Sequence, residues 1–126
     1  MLEIQGIGQI AIPVNDLTKA ITFYRDKLKL EFLFQAPPGL VFFMCGGVRL
    51  MLEESPKEKA DQYSSVIYFS VADIQSAFRE LSTKDVDIVN EPHMIAKMPD
   101  HELWMVFFHD PSGNLLALMA EEPLKE

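Results

Sequence analysis

Cysteine is nearly missing from this chain of 126 residues, and the single example, Cys45, cannot close an intramolecular disulfide. Nothing therefore points to an oxidising compartment, and the fold must hold by packing. No apolar run approaches the ~18 residues that suggest a membrane span. The opening Met1-Leu2-Glu3 has neither the basic start nor the apolar run of a signal peptide. The expectation is a cytoplasmic chain with no membrane partner. Basic residues are also scarce, since 11 Lys and Arg against 19 Asp and Glu leave a net charge of −8. With no basic cluster to counter it, such a surface repels nucleic acid and anionic lipid. No phosphate-cradling glycine loop, CxxC pair or Ser/His/Asp order is present, so no common catalytic motif offers itself.

What the chain does have is apolar patterning. A 48% apolar fraction in 126 residues suits one domain, 1–126, with a core of its own. Residues 7–14 alternate loosely and stop at Pro13-Val14-Asn15-Asp16, which reads as a strand, a break and a helix cap at Asp16. Leu17, Ile21, Tyr24 and Leu28 then form one apolar stripe of a helix ending near Leu28. A strand over 31–35, a turn at Pro37-Pro38-Gly39, and a hairpin of 40–45 with 48–53 across Gly46-Gly47 complete the first half. Residues 54–63 (ESPKEKADQY) are polar and aperiodic, and read as the linker.

The pattern then repeats. A strand at 65–71, a cap at Asp73 and a stripe of Ile74, Ala77, Phe78 and Leu81 follow in the same order. Val14/Val71, Asp16/Asp73, Leu17/Ile74 and Ala20/Ala77 all pair at one offset, 71 − 14 = 57. Strands near 86–89 and 93–96, a loop over 98–102 and a closing hairpin over 103–119 finish the chain, with Pro123 onward a tail. The reading is α+β, as two tandem βαβββ modules over about 4–53 and 64–120.

The closing stretch is Phe107-Phe108-His109-Asp110-Pro111-Ser112-Gly113-Asn114-Leu115-Leu116-Ala117-Leu118-Met119. Asp-Pro opens a turn, Gly113-Asn114 supplies residues tolerant of positive φ, and both flanks are apolar. This wording resembles the closing hairpin of the vicinal oxygen chelate superfamily, the group of glyoxalase I, extradiol dioxygenases and the bleomycin resistance proteins. Ile10-Ala11-Ile12-Pro13-Val14-Asn15-Asp16-Leu17 with Phe23-Tyr24 resembles that superfamily's opening equally well, and the duplication matches its architecture. The resemblance implies a glyoxalase-like fold, a curved mixed sheet around a shared cleft with the helices on the convex side. It also implies one divalent metal, held by His, Gln and Glu from the first and last strands of the modules.

Matched to those positions, this chain offers Gln9, Met51 (with Glu53 one strand repeat away), Val66 and Ala117. Gln can bind a metal. Val and Ala carry no lone pair, and Met offers only a soft sulfur, so the expected metal set is none and no cofactor is expected. The expected content of the cleft is an apolar or aromatic ligand touched by a few polar groups. Ligand-binding candidates are Gln9, Met51, Glu53, Val66, Tyr68, His101, Trp104 and Ala117. Each also has a plain reading: Gln9 as a strand-end bond, Tyr68 and Trp104 as packing, Glu53 as solvated. His101 reads equally as a surface loop histidine, and Cys45 as buried and inert. His93 and His109 carry no assigned role, and no catalytic residue is assigned. The functional expectation is a small-molecule-binding homodimer of the bleomycin resistance kind. The alternative is a lyase, isomerase or dioxygenase of the same superfamily, with a non-standard metal site using Gln9 and Glu53. As an enzyme it would be lactoylglutathione lyase-like or dioxygenase-like.

Overall fold

A computed structural model of the chain describes residues 2–3, 5–55 and 65–124. Two compact units share the chain, Met1–Ser64 and Ser65–Glu126. In the first, strand β1 (Gln9–Val14) leads into helix α1 (Leu17–Ile21) and its π-helical continuation (Thr22–Lys27), followed by β2 (Glu31–Ala36), β3 (Leu40–Cys45) and β4 (Val48–Glu54). The sheet order is β1-β4-β3-β2, with β1 parallel to β4 and the other pairs antiparallel. Most of the expected linker, 54–63, lies outside the described residues; Glu54 itself ends β4.

Asp16 begins α1 as the sequence suggests. Its backbone is extended and its carboxylate accepts from the Lys19 N–H at 3.0 Å. A second carboxylate, Glu54, accepts from the Leu17 N–H at 3.1 Å, so β4 also helps satisfy the free donors of the first turn. Past Ile21 the helix widens to π geometry over Thr22–Lys27, and the Leu28 N–H reaches back five residues to the Phe23 carbonyl. A wide turn narrows the angle between consecutive side chains, so both Phe23 and Tyr24 face the sheet. Their rings meet edge to face at 5.2 Å, and Tyr24 lies 6.0 Å from Phe43. The buried face is thus Ala20, Phe23 and Tyr24, whereas Leu17, Ile21 and Leu28 of the expected stripe are only half-buried. Ile12, Val14, Val41, Phe43, Leu50 and Leu52 complete this core. In the β3–β4 hairpin, Gly46 (φ 51°) and Gly47 (φ 87°) supply the two positive φ angles that a primed two-residue turn requires.

The second unit runs β5 (Ile67–Ser70), α2 (Ile74–Ser82), β6 (Asp87–Ile88), β7 (His93–Lys97), β8 (His101–His109) and β9 (Leu115–Pro123). Again the first strand is parallel to the last, and β8 pairs antiparallel with β9, β7 and β6. Asp73 caps α2 through the Ser76 N–H at 3.1 Å, and Ile74 and Leu81 are buried. The expected strand over 86–89 shrinks to two residues. Asn90 takes over there, its Oδ1 accepting the Phe107 N–H at 3.0 Å.

Two expectations are corrected. Residues 98–102 are not all loop, because the Met98 N–H donates to the His101 carbonyl and β8 begins at His101. Nor does a tail begin at Pro123: β9 continues to it opposite His101. A strand end can be polar when solvated, and proline is tolerated at such an end. Among the described residues no helix is long and apolar enough to cross a membrane.

Candidate functional site

Each sheet has one face against its helix and one turned away from it. The hydrogen-bond register fixes which residues share the latter, called the open face below, because paired residues point the same way. In the first unit three rows cross it. Gln9, Arg49, Met44 and Glu31 form one; Ala11, Met51, Phe42 and Phe34 the next; Pro13, Glu53, Leu40 and Ala36 the third. Gln9, Met51 and Glu53 therefore do share a face, as strand alternation requires.

Gln9 and Met51 also touch. The Gln9 side-chain amide donates to Met51 Sδ at 3.7 Å, and its carbonyl oxygen accepts from Arg49 Nε at 2.8 Å. The Arg49 guanidinium lies 5.4 Å from the centroid of Phe42, which in turn stacks on Phe34 at 4.6 Å and 28°. Phe34 is 48% exposed while Phe42 is only 9% exposed, so the outer ring of the stack is open to solvent. Glu53 is exposed, two residues further along its strand. Cys45 is half-buried, and burial pushes its thiol pKa up, away from nucleophilic character.

In the second unit Tyr68 and Ala117 are cross-strand partners, and Phe107 lies opposite Ala117. Tyr68 meets Phe107 edge to face at 6.0 Å and remains 44% exposed; Ala117 is fully buried. Met119, Met105 and His93 follow on the next row. Val66 immediately precedes β5 and is half-buried. His101 shares this open face but sits far along it. Six residues separate its partner Pro123 from Ala117, or about 20 Å of strand. It lies between Asp100 (2.7 Å) and Glu121 (3.3 Å), and its hydrogen bond holds the Asp100 carboxyl below the usual range. His109 pairs with Asp87 at 3.2 Å, and His93 bonds the Glu91 carbonyl at 3.0 Å, so the three histidines have separate partners.

Trp104 is not on this face. Its row contains Ala120 and Met94, and its indole N–H donates to Glu102 at 3.0 Å. It lines a cavity of about 420 Å³ on the helix side, with Ile74, Gln75 and Leu124 among the walls.

Sequence reasoning missed Arg49, Phe34, Phe42 and Phe107. The signal for Arg49 was present, since it stands two residues before Met51 and so on the same face. The aromatic pair needed the β2–β3 register, which a bulge between Phe32 and Phe34 shifts.

Taken one by one, the residues at the positions that the resemblance assigns to a metal are poor donors for a hard divalent cation. The Gln9 oxygen already accepts from a guanidinium, whose positive charge opposes a second cation at that atom. Met51 offers a thioether, which hard cations do not favour, and Val66 and Ala117 offer nothing. Among the described residues no three His, Cys, Asp or Glu side chains are gathered in a metal-binding arrangement.

A family model described as Glyoxalase/Bleomycin resistance protein/Dioxygenase superfamily matches residues 6–118. An uncharacterised protein of Bacillus subtilis, YraH, is 26% identical over 126 residues, covering 87% of this chain and 94% of that one. The metallothiol transferase FosB of Staphylococcus saprophyticus is 24% identical over 120 residues, covering 91% and 76%. Among solved structures, lactoylglutathione lyase from Agrobacterium tumefaciens superimposes with a TM-score of 0.73 at 23% identity, covering 93% and 94%.

Proposed function

The chain belongs to the Glyoxalase/Bleomycin resistance protein/Dioxygenase superfamily, and we propose that it is a member that binds a small apolar or aromatic molecule without a resident metal. What supports this reading is the chemistry of the residues at the positions that the resemblance assigns to a metal. Gln9 is tied to Arg49, Met51 is a thioether, and Val66 and Ala117 are aliphatic. Each open face, taken by itself, carries aromatic and apolar side chains: Phe34, Phe42 and Leu40 beside Met51 on the first sheet, and Tyr68, Phe107, Leu115 and Met119 beside Ala117 on the second. Exposed aromatic rings beside one or two polar anchors make a recognition surface for a compound with little charge.

The names of two relatives, a metallothiol transferase and a lactoylglutathione lyase, point instead to catalysis. At these identities they support the fold, and a fold does not carry a reaction with it. The test combines total metal analysis with thermal shift. Purified protein is expected to hold no stoichiometric transition metal and to keep its Tm in the presence of a chelator. Aromatic and hydrophobic metabolites are expected to raise the Tm, since a ligand at 100 times its Kd stabilises by about 2.7 kcal/mol. A tightly held metal that is lost on Gln9→Ala or Glu53→Ala would overturn the reading in favour of a metalloenzyme.

A further inference from the structure

The protein carries a strong excess of acid, with net charge −8. Its exposed Arg25 is spoken for by Asp26 at 2.8 Å. Arg49 differs. Among the described residues no carboxylate pairs with it, yet it is held in place twice, by the bond from its Nε to Gln9 at 2.8 Å and by the Phe42 ring beneath it. The other charged residues of its face are remote. Glu31 stands two strands away, about 9–10 Å at the backbone, and Glu53 four residues along the strand, about 13 Å. With Nε engaged, the Nη1/Nη2 edge of the guanidinium remains as a planar pair of donors. That edge matches the two oxygens of a carboxylate.

We infer that the open face of the first unit takes an aromatic carboxylate, its anionic end on the Nη edge of Arg49 and its ring against Phe34 and Met51. The inference rests on the binding reading above and names the class of ligand. Among the described residues this face offers a single guanidinium and no second cation or helix N-terminus, which balances a monoanion better than a phosphate dianion. The exposed Phe34 ring, stacked on Phe42, supplies an aromatic surface one strand from the ring that Arg49 covers.

The probes are 2-naphthoate and its uncharged isostere 2-naphthamide, titrated by calorimetry into the full chain. The acid is expected to bind at least about tenfold more tightly than the amide. Arg49→Gln should remove that preference, and Arg49→Lys should keep part of it, because a point charge remains without the fork. The Gln9 side-chain amide resonance should shift on adding the acid, placing it at this site. If acid and amide bind equally and Arg49→Gln changes neither, the anionic site is wrong and apolar binding stands. If neither binds, the carboxylate site and the apolar-binding reading fall together. If the acid is preferred but Arg49→Gln leaves the preference intact, another cation holds it and this site is refuted.

Discussion

Replacing Asp110 by alanine should be among the most damaging single changes in the second unit, for reasons countable at the atoms. Its carboxylate accepts from the N–H of Ser112 (2.9 Å), the N–H of Asn114 (2.9 Å) and the Asn114 side-chain amide (2.8 Å). Asp110 and Asn114 are only 4% and 8% exposed, so water cannot replace the lost acceptor freely. Hydrogen bonds to a charged group contribute about 1.5–3 kcal/mol each, but three on one side chain do not add fully. Two backbone bonds of the turn, Asp110 N–H to Asn114 and Gly113 N–H to Asp110, both 3.0 Å, survive the substitution. The expected loss is about 3–5 kcal/mol, a large share of a small domain's stability. Asp110→Asn is the informative companion. Its oxygen can still accept both backbone donors, while its amide faces the Asn114 amide donor to donor, so about 1–2 kcal/mol should be lost. Urea denaturation with an unchanged m-value measures both. Alanine within about 0.5 kcal/mol of wild type would refute the hydrogen-bond account. Equal losses in Asn and Ala would show that charge, and not bond geometry, holds the turn.

Other expectations follow from the same geometry. Asp16→Ala and Asp73→Ala should each cost about 1 kcal/mol through loss of a helix cap, with Asp16 the milder because Glu54 also serves its helix; equal stability to wild type in urea would count against both caps. At the β3–β4 turn an added Cβ meets nothing within 4 Å at Gly46 or Gly47, so any cost is backbone strain. Gly46→Asn (φ 51°) should be nearly neutral and Gly47→Val (φ 87°) should lose about 1–3 kcal/mol, and the reverse order would refute the turn assignment. Phe34, Tyr68 and Leu115 leave apolar surface exposed, and a homodimer that covers part of it should sediment as such at micromolar concentration. A monomer there would argue that ligand alone covers it.

The architecture was legible because it rests on short-range chemistry. Asp16 and Asp73 announce helix starts by a bond three residues away, Gly46-Gly47 a turn by two positive φ angles, and Asp110 to Asn114 a turn closed by its own side chains. Even in the closing turn a role was misassigned. Gly113 alone has positive φ there (87°), and Asn114 contributes a buried amide instead. Strand alternation likewise placed Gln9, Met51 and Glu53 together. What could not be read depends on register and on helix geometry. The π-helical turn at 22–27 moved the buried face of α1 onto Ala20, Phe23 and Tyr24. The assignment of Trp104 to the ligand face required knowing its partner on β9, which is Ala120 and not a residue of the Tyr68 row. Arg49 could be placed on that face by alternation, but not its role, since a lone arginine on a strand looks like any solvated charge until its partners are known.

The internal duplication itself separates what packing demands from what the faces are free to do. On the helix side the modules agree: Ile10 matches Ile67 at the 57-residue offset, and the β4 partners Leu50 and Leu52 answer to Leu116 and Leu118 of β9. The four leucines are buried and the two isoleucines half-buried, so a polar substitute would be costly there. On the open side the modules diverge in kind. Ala11 opposite Met51 becomes Tyr68 opposite Ala117, small against large exchanged for large against small. Such an exchange keeps the volume of the row while moving the bulk to the other strand, as a surface shaped around something other than its own helix would do. Gln9 with Arg49 has no polar counterpart in the second unit, where Val66 and Leu115 hold the corresponding positions. Among the described residues, the first open face thus combines an arginine with an exposed aromatic ring, and the second does not. If the first module has acquired an anchor for charge beside its exposed ring, a ligand with one anionic end and one apolar body is what that face would serve.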